Sequence, residues 1–147
     1  MKKVVLSLVL LFTLICFTGC EKVENIVYKE GTYQAFAVDT YNNEENMASA
    51  TVVINANGKI ESVYLDTTYN GSTKKSLADD YNMKRYNPNA AGEWYEQVAK
   101  LEEAVVENQG VAFLKLNEEG YTDAVSGCTI KVDALVKALS DALEQAK

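Results

Sequence analysis

The chain has 147 residues, 48% of them hydrophobic, which suits one domain with a real core. Its 21 acidic against 14 basic residues give a net charge of −7, which argues against nucleic acid and anionic lipid headgroups as partners, since both select basic patches. Histidine is absent, so the commonest metal ligand and the usual general base for nucleophilic catalysis are both missing.

Lys2-Lys3, the apolar stretch Val4–Phe17 and the small residues Thr18-Gly19 ahead of Cys20 have the layout of a secretory signal. The stretch is short for a membrane span, which needs roughly 20 apolar residues. "FTGC", residues 17–20, resembles the bacterial lipobox, with Phe17 where leucine usually stands. The resemblance implies cleavage before Cys20 and lipidation of Cys20. The protein would then be held by acyl chains in the bacterial cell membrane, facing outside the cytoplasm. An uncleaved anchor and an ordinary secreted protein with a buried Cys20 are the alternatives. The expected organisation is a signal over 1–19, a lipidated tether over 20–30 and one domain over 31–147. Cys16 leaves with the signal and Cys20 is used by the lipid, so Cys128 has no disulfide partner and no cysteine metal cluster can form. Such a thiol is either buried as a small apolar residue or functional.

The first half of the domain predicts strands. "GTYQAFAV", from Gly31, alternates Tyr33, Ala35 and Ala37 against Thr32, Gln34, Phe36 and Val38. "TYNNEEN" predicts a solvated loop. "ASATVVINANGKIESVYLD" places β-branched and aromatic residues on both sides of Asn57-Gly58, a strong hairpin signal. "NGSTKK" predicts another loop, and "SLADDYNMK" a short helix. In "AAGEWYEQVAKLEEAVVEN" the residues Trp94, Val98, Leu101 and Val105 recur on one helix face. Asn87-Pro88 predicts its cap, with Asn89 the alternative, and Glu96 and Lys100 a stabilising i,i+4 pair. Glu102, Glu103 and Glu107 predict a solvated face. Tyr81, Met83 and Tyr86 either face a ligand or cover the core, while Trp94 is core first by its spacing. "VAFLKL" predicts a strand and "NEEG" a turn. A last helix, capped by Asp133, buries Leu135, Val136, Leu139, Ala142 and Leu143. The order predicts a single α+β domain, an antiparallel sheet with helices packed against it.

Between turn and last helix stands "DAVSGCTIKV", Asp123–Val132. Cys128, Ile130 and Val132 alternate with Thr129 and Lys131, the period of a half-buried strand in which Thr129 merely faces water. Yet "DAVSGCT" also resembles the Asp-x-x-Ser-Gly-Ala-Thr signature of FMN-binding domains. That family includes the FMN-carrying domain of the sodium-translocating NADH:quinone reductase, its counterpart in the Rnf electron-transport complex and exported flavoprotein lipoproteins. "KEGTYQAFAV" and "SATVVINANGKIESVYLD" resemble the family's opening strand and hairpin. The resemblance covers Glu30–Leu65 and Asp123–Ala146. Cys128 replaces the signature alanine, and Lys131 and Val132 stand where hydroxyls often follow.

The resemblance implies FMN joined through a phosphoester to Thr129 by a flavin transferase, with Asp123, Ser126 and Gly127 the other signature residues. Gly127 would let the backbone approach a phosphate. The following helix would direct N–H groups at it, and Lys131 would add a mobile cation. Thr129 has no basic neighbour in sequence, hence the external transferase. The implied role is a membrane-anchored electron carrier rather than a stand-alone catalyst, working between a donor and an acceptor that the motif does not identify. The alternative is a flavin-free relative of the same fold, serving as a cell-surface binding or interaction module.

Overall fold

A computed structural model describes residues 26–147. The expected signal and the lipidated Cys20 lie outside the described residues.

Strands β1 (Gly31–Tyr41), β2 (Glu44–Ile54), β3 (Ile60–Tyr69) and the short β4 (Ser72–Thr73) form an antiparallel meander in that order. Pairing of β1 with β2 runs unbroken from Gly31↔Ile54 to Tyr41↔Glu44. "TYNNEEN" is therefore not a loop. Asn42 and Asn43 both take left-handed φ, 51° and 62°, and make a two-residue turn whose twist matches the flanking strands. Asparagine tolerates that conformation better than most residues, so the ladder continues to the turn itself.

The hairpin at Asn57-Gly58 forms as expected, within a loop from Asn55 to Lys59. The Asn55 side chain accepts from the N–H groups of Asn57 and Lys59, at 3.0 and 3.1 Å. Gly58 has φ +70°, and a Cβ there would collide with Val27 Cγ1 and lie 2.8 Å from the Tyr28 carbonyl oxygen. Tyr28 N–H donates to the Gly58 carbonyl, and Lys29 N–H to that of Ala146. With Tyr28 buried, the packed body thus starts ahead of Gly31, within the stretch expected to be tether.

"NGSTKK" is likewise not a simple loop: Asn70-Gly71 turns β3 into β4, and a Thr73–Ser76 capping box opens helix α1 (Lys74–Leu77). The expected short helix is divided among α1, a 3-10 turn at Ala78–Tyr81 and α2 (Met83–Tyr86). Helix α3 (Trp94–Asn108) begins later than Asn87-Pro88 suggested. Glu93 is its N-cap, and the Glu93 N–H donates to Glu96 Oε2 at 2.8 Å. Glu96 is thereby turned toward the cap, and the expected pair with Lys100 is not formed. Trp94, Val98, Leu101 and Val105 are all buried, as their spacing predicted.

Helix α4 (Asp133–Gln145) lies across β1 and β2, while α3 packs against β3. Ala35, Ala48, Ala50, Val52, Val63 and Leu65 supply the sheet's side of one core. The opposite sheet face leaves Phe36, Val38, Met47 and Tyr64 exposed. Val132, not Asp133, is the α4 N-cap. Asp133 occupies the first turn, where its carboxylate pairs with Lys131 instead of capping. Leu135, Leu139, Ala142 and Leu143 are buried as expected, and Val136 only partly.

The acidic α3 face is not wholly solvated. Glu102 turns inward, accepts the Leu65 N–H at 2.6 Å and pairs with Lys75. Gln109 does the same for Ile60, accepting from its N–H and donating to its carbonyl. These side chains satisfy the β3 edge beyond the reach of two-residue β4, which leaves less edge for another chain. "VAFLKL" accordingly forms no strand. Its N–H groups close into local turns (Leu114 to Val111, Lys115 to Phe113), and a single bridge joins Leu116 to Thr122 around the expected "NEEG" turn.

Candidate cofactor-attachment site

The segment Asp123–Val132 is an extended loop, not a strand. Its alternation is nonetheless realised: Cys128, Ile130 and Val132 enter the core while Thr129 is exposed and Lys131 half-buried. The inward residues anchor the loop, so no ladder is needed to hold it.

Gly127 turns the chain with φ +76°, a conformation glycine adopts without strain. A Cβ there would lie 2.5 Å from Lys100 Nζ, so the α3 lysine rests directly against the turn. Among the described residues Lys100 forms no ion pair. Two residues on, Thr129 is held from behind by Gln97, a fully buried residue of α3. Gln97 Oε1 accepts from the Thr129 N–H at 2.7 Å and from its hydroxyl at 3.0 Å. Gln97 Nε2 donates to the Gly92 carbonyl at 2.8 Å and lies 3.5 Å from Met83 Sδ. The obligate donor on one side and the obligate acceptor on the other orient the amide unambiguously.

The remaining signature residues are placed less centrally. Asp123 and Ser126 are exposed. Cys128 is buried, and burial pushes its thiol up, against a backbone hydrogen bond at Ile130 and the charge of Lys100, which pull it down. The thiol is thus kept neutral and packed, the structural alternative for an unpaired cysteine. Lys131 is not the mobile cation expected of it. Its Nζ lies 2.9 Å from Asp133, and that hydrogen bond raises its pKa. The α4 N-terminus is also less available than expected, because Asp133 brings a carboxylate there and Val132 N–H donates to the Gly120 carbonyl. Lys100 and Gln97, both from α3, stand at the turn instead.

An aromatic cluster continues from α3. Lys74 is buried with its ammonium 5.5 Å from the Tyr81 ring centre and 5.3 Å from that of Trp94, and 3.7 Å from Asp39. Burial lowers its pKa, and Asp39 opposes the shift. Tyr81 meets Tyr69 edge-on at 5.1 Å, and burial, reinforced by Tyr69, Tyr41 and Asp39, pushes its hydroxyl up to about 12. Met83 reaches Gln97, whereas Tyr86 is exposed. Trp94 is core, as its spacing predicted.

A flavin phosphate needs a nucleophilic hydroxyl at the surface, room beside it and a cation. Thr129 supplies the hydroxyl and Lys100 the cation, and room at the left-handed Gly127 turn opens as the movable end of Lys100 turns toward the phosphate. A cavity of roughly 670 Å³ lies elsewhere, lined by Tyr28, Gln109, Val111, Phe113 and Leu143 among others. No curated protein and no solved structure matches the chain. The family model described as FMN-binding domain matches residues 45–144, which spans β2 to α4, and the chain therefore belongs to the FMN-binding domain family, with FMN as its cofactor.

Proposed function

We propose that the protein is a lipid-anchored, extracytoplasmic electron carrier whose FMN is attached through a phosphoester to Thr129. Bound FMN supplies the exchange of electrons, while the chain holds it and tunes it. The observation that carries the reading is the Thr129 hydroxyl, exposed at the surface yet held by the buried Gln97 amide beside the left-handed Gly127 turn, against which Lys100 rests. Lys100 offsets phosphate charge, and the neutral Cys128 packs the loop from beneath. Attachment requires a flavin transferase, because among the described residues the Thr129 hydroxyl is hydrogen-bonded only to the Gln97 amide oxygen, which is too weak a base to take its proton. Lipidation of Cys20 brings the domain to the membrane surface, where the electron donor and acceptor are met. Support for that part is the "FTGC" sequence after an apolar stretch.

One experiment tests both parts. The full chain is expressed with a flavin transferase in an exporting host, fractionated and run in SDS. Yellow-green fluorescence is expected to comigrate with the membrane-bound polypeptide and to vanish in Thr129→Ala. That variant keeps its fold, since an exposed substitution costs less than about 0.5 kcal/mol, with the loss of one hydroxyl bond to Gln97 adding about 1 kcal/mol. Flavin persisting on folded Thr129→Ala moves the attachment elsewhere. Cys20→Ala is expected to release the protein or leave it unprocessed; a processed, membrane-bound variant contradicts lipid anchoring.

A further inference from the structure

Gln97 is a polar residue on the apolar face of α3, three positions after Trp94 and four before Leu101, and it is wholly buried. Burying an amide is costly unless each of its groups is partnered. Its partners here serve the exposed loop: one oxygen collects both the N–H and the hydroxyl of Thr129, while the NH₂ group is pinned on Gly92. A purely structural anchor for the loop needs only the N–H bond. The second bond constrains the Thr129 oxygen itself. We propose that Gln97 is a positioning residue for flavin attachment, holding Thr129 Oγ1 at one place on the surface for the incoming phosphorus; this rests on Thr129 being the attachment point.

The chemistry explains why position matters. A phosphate monoester lacks a good leaving group at neutral pH, so the donor must be an activated flavin phosphoanhydride. The Thr129 Oγ–P bond forms as the anhydride P–O bond breaks. The hydroxyl proton passes to a base of the transferase, because an amide oxygen is too weak a base to keep it. The phosphate-bearing leaving group departs with the electron pair of the broken bond, and no redox change occurs. In-line displacement tolerates little misplacement of the attacking oxygen. Once the ester has formed, Oγ1 has no proton to donate. Gln97 then keeps only the N–H bond, which still ties the loop to α3.

The test is the initial rate of covalent flavin incorporation into the full-length chain, purified in detergent, with a flavin transferase and its phosphoanhydride donor. Gln97→Met removes both acceptor and donor at similar volume. It is expected to lower kcat about tenfold or more, with KM for the protein little changed. Gln97→Glu, as the neutral acid that a wholly buried site favours, keeps an oxygen acceptor for Thr129 and an O–H donor for the Gly92 carbonyl, and is expected to recover to within about threefold of wild type. Loss of stability without positioning predicts that the two variants follow their melting temperatures, not the presence of the acceptor. A folded Gln97→Met loading at the wild-type rate overturns the proposal, even while Thr129→Ala remains unlabelled and so preserves the attachment site. If neither Gln97 variant folds, the wild-type apo protein decides by NMR: a single Thr129 χ1 rotamer with a protected amide supports positioning, and rotamer averaging overturns it. Flavin retained on Thr129→Ala instead removes the reading on which the proposal stands.

Discussion

Strands β1 to β3 and the segment Gly110–Val132 satisfy their backbone groups in opposite ways. The strands pair with sequence neighbours through two-residue and five-residue connections, and every register is set locally. The later segment has only one isolated bridge and is held by side chains that drop into the core, with Gln97 behind Thr129. A ladder repeats and leaves its backbone groups mutually engaged. A loop anchored at alternate residues leaves those between free to face outward, and Ser126, Gly127 and Thr129 are among them. The proposed attachment point therefore falls on the irregular half, supported by the regular half, a common division between scaffold and site.

That division predicts that damage to the hairpin is felt in stability and damage to the loop in flavin loading. The largest stability effect is expected for Gly58→Val. A β-branched residue is strained at φ +70° and collides with Tyr28 backbone, which undocks the strap over the hairpin. A loss of about 3 kcal/mol in chemical denaturation is expected. The folded fraction still loads flavin at the normal rate; a selective loading defect breaks the division.

Gly127→Val tests the other half. Its φ of +76° is equally unfavourable, but the nearest atom is the movable end of Lys100. The stability cost is expected to be smaller, about 1–2 kcal/mol, while flavin loading is largely lost. Equal loading with wild type shows that the turn need not admit the phosphate.

The smallest effect is expected for Cys128→Ala, about 1 kcal/mol of lost packing with loading unchanged or improved. Its pH dependence sharpens the assignment. The folded thiol holds its proton above the ordinary value of 9.0, so the unfolded chain ionises first and the wild type loses stability as pH rises past that value. The difference between wild type and Cys128→Ala therefore narrows in alkali, measurable by paired denaturation curves. Loss of flavin in the alanine variant makes the thiol part of the chemistry.

Much of this architecture is legible in local pattern. Trp94, Val98, Leu101 and Val105 announce α3 because helical periodicity needs no partner to be recognised. Asn57-Gly58 announces a hairpin because the turn chemistry is contained in the turn. "TYNNEEN" misleads because its polarity suggests a loop, while the hairpin depends on two asparagines accepting left-handed φ. "VAFLKL" misleads for another reason: strand pattern does not say whether a sheet edge is open, and Glu102 and Gln109 already occupy that of β3.

Residues close in sequence thus carry the α+β class and the motif in which Thr129 stands where the family signature has its threonine. Packing decides the surroundings of that threonine. Gln97 lies 32 positions before Thr129, and its only sequence signal is a polar residue on a buried helix face. Pattern pairs Lys100 with Glu96, and the family resemblance pairs Lys131 with the phosphate. The fold instead gives Glu96 to a helix cap, Lys131 to Asp133 and Lys100 to the Gly127 turn. Such exchanges are invisible to spacing rules because each ion or amide takes the partner that the assembled core brings within hydrogen-bond distance, and that core forms only when segments distant in the chain are packed together.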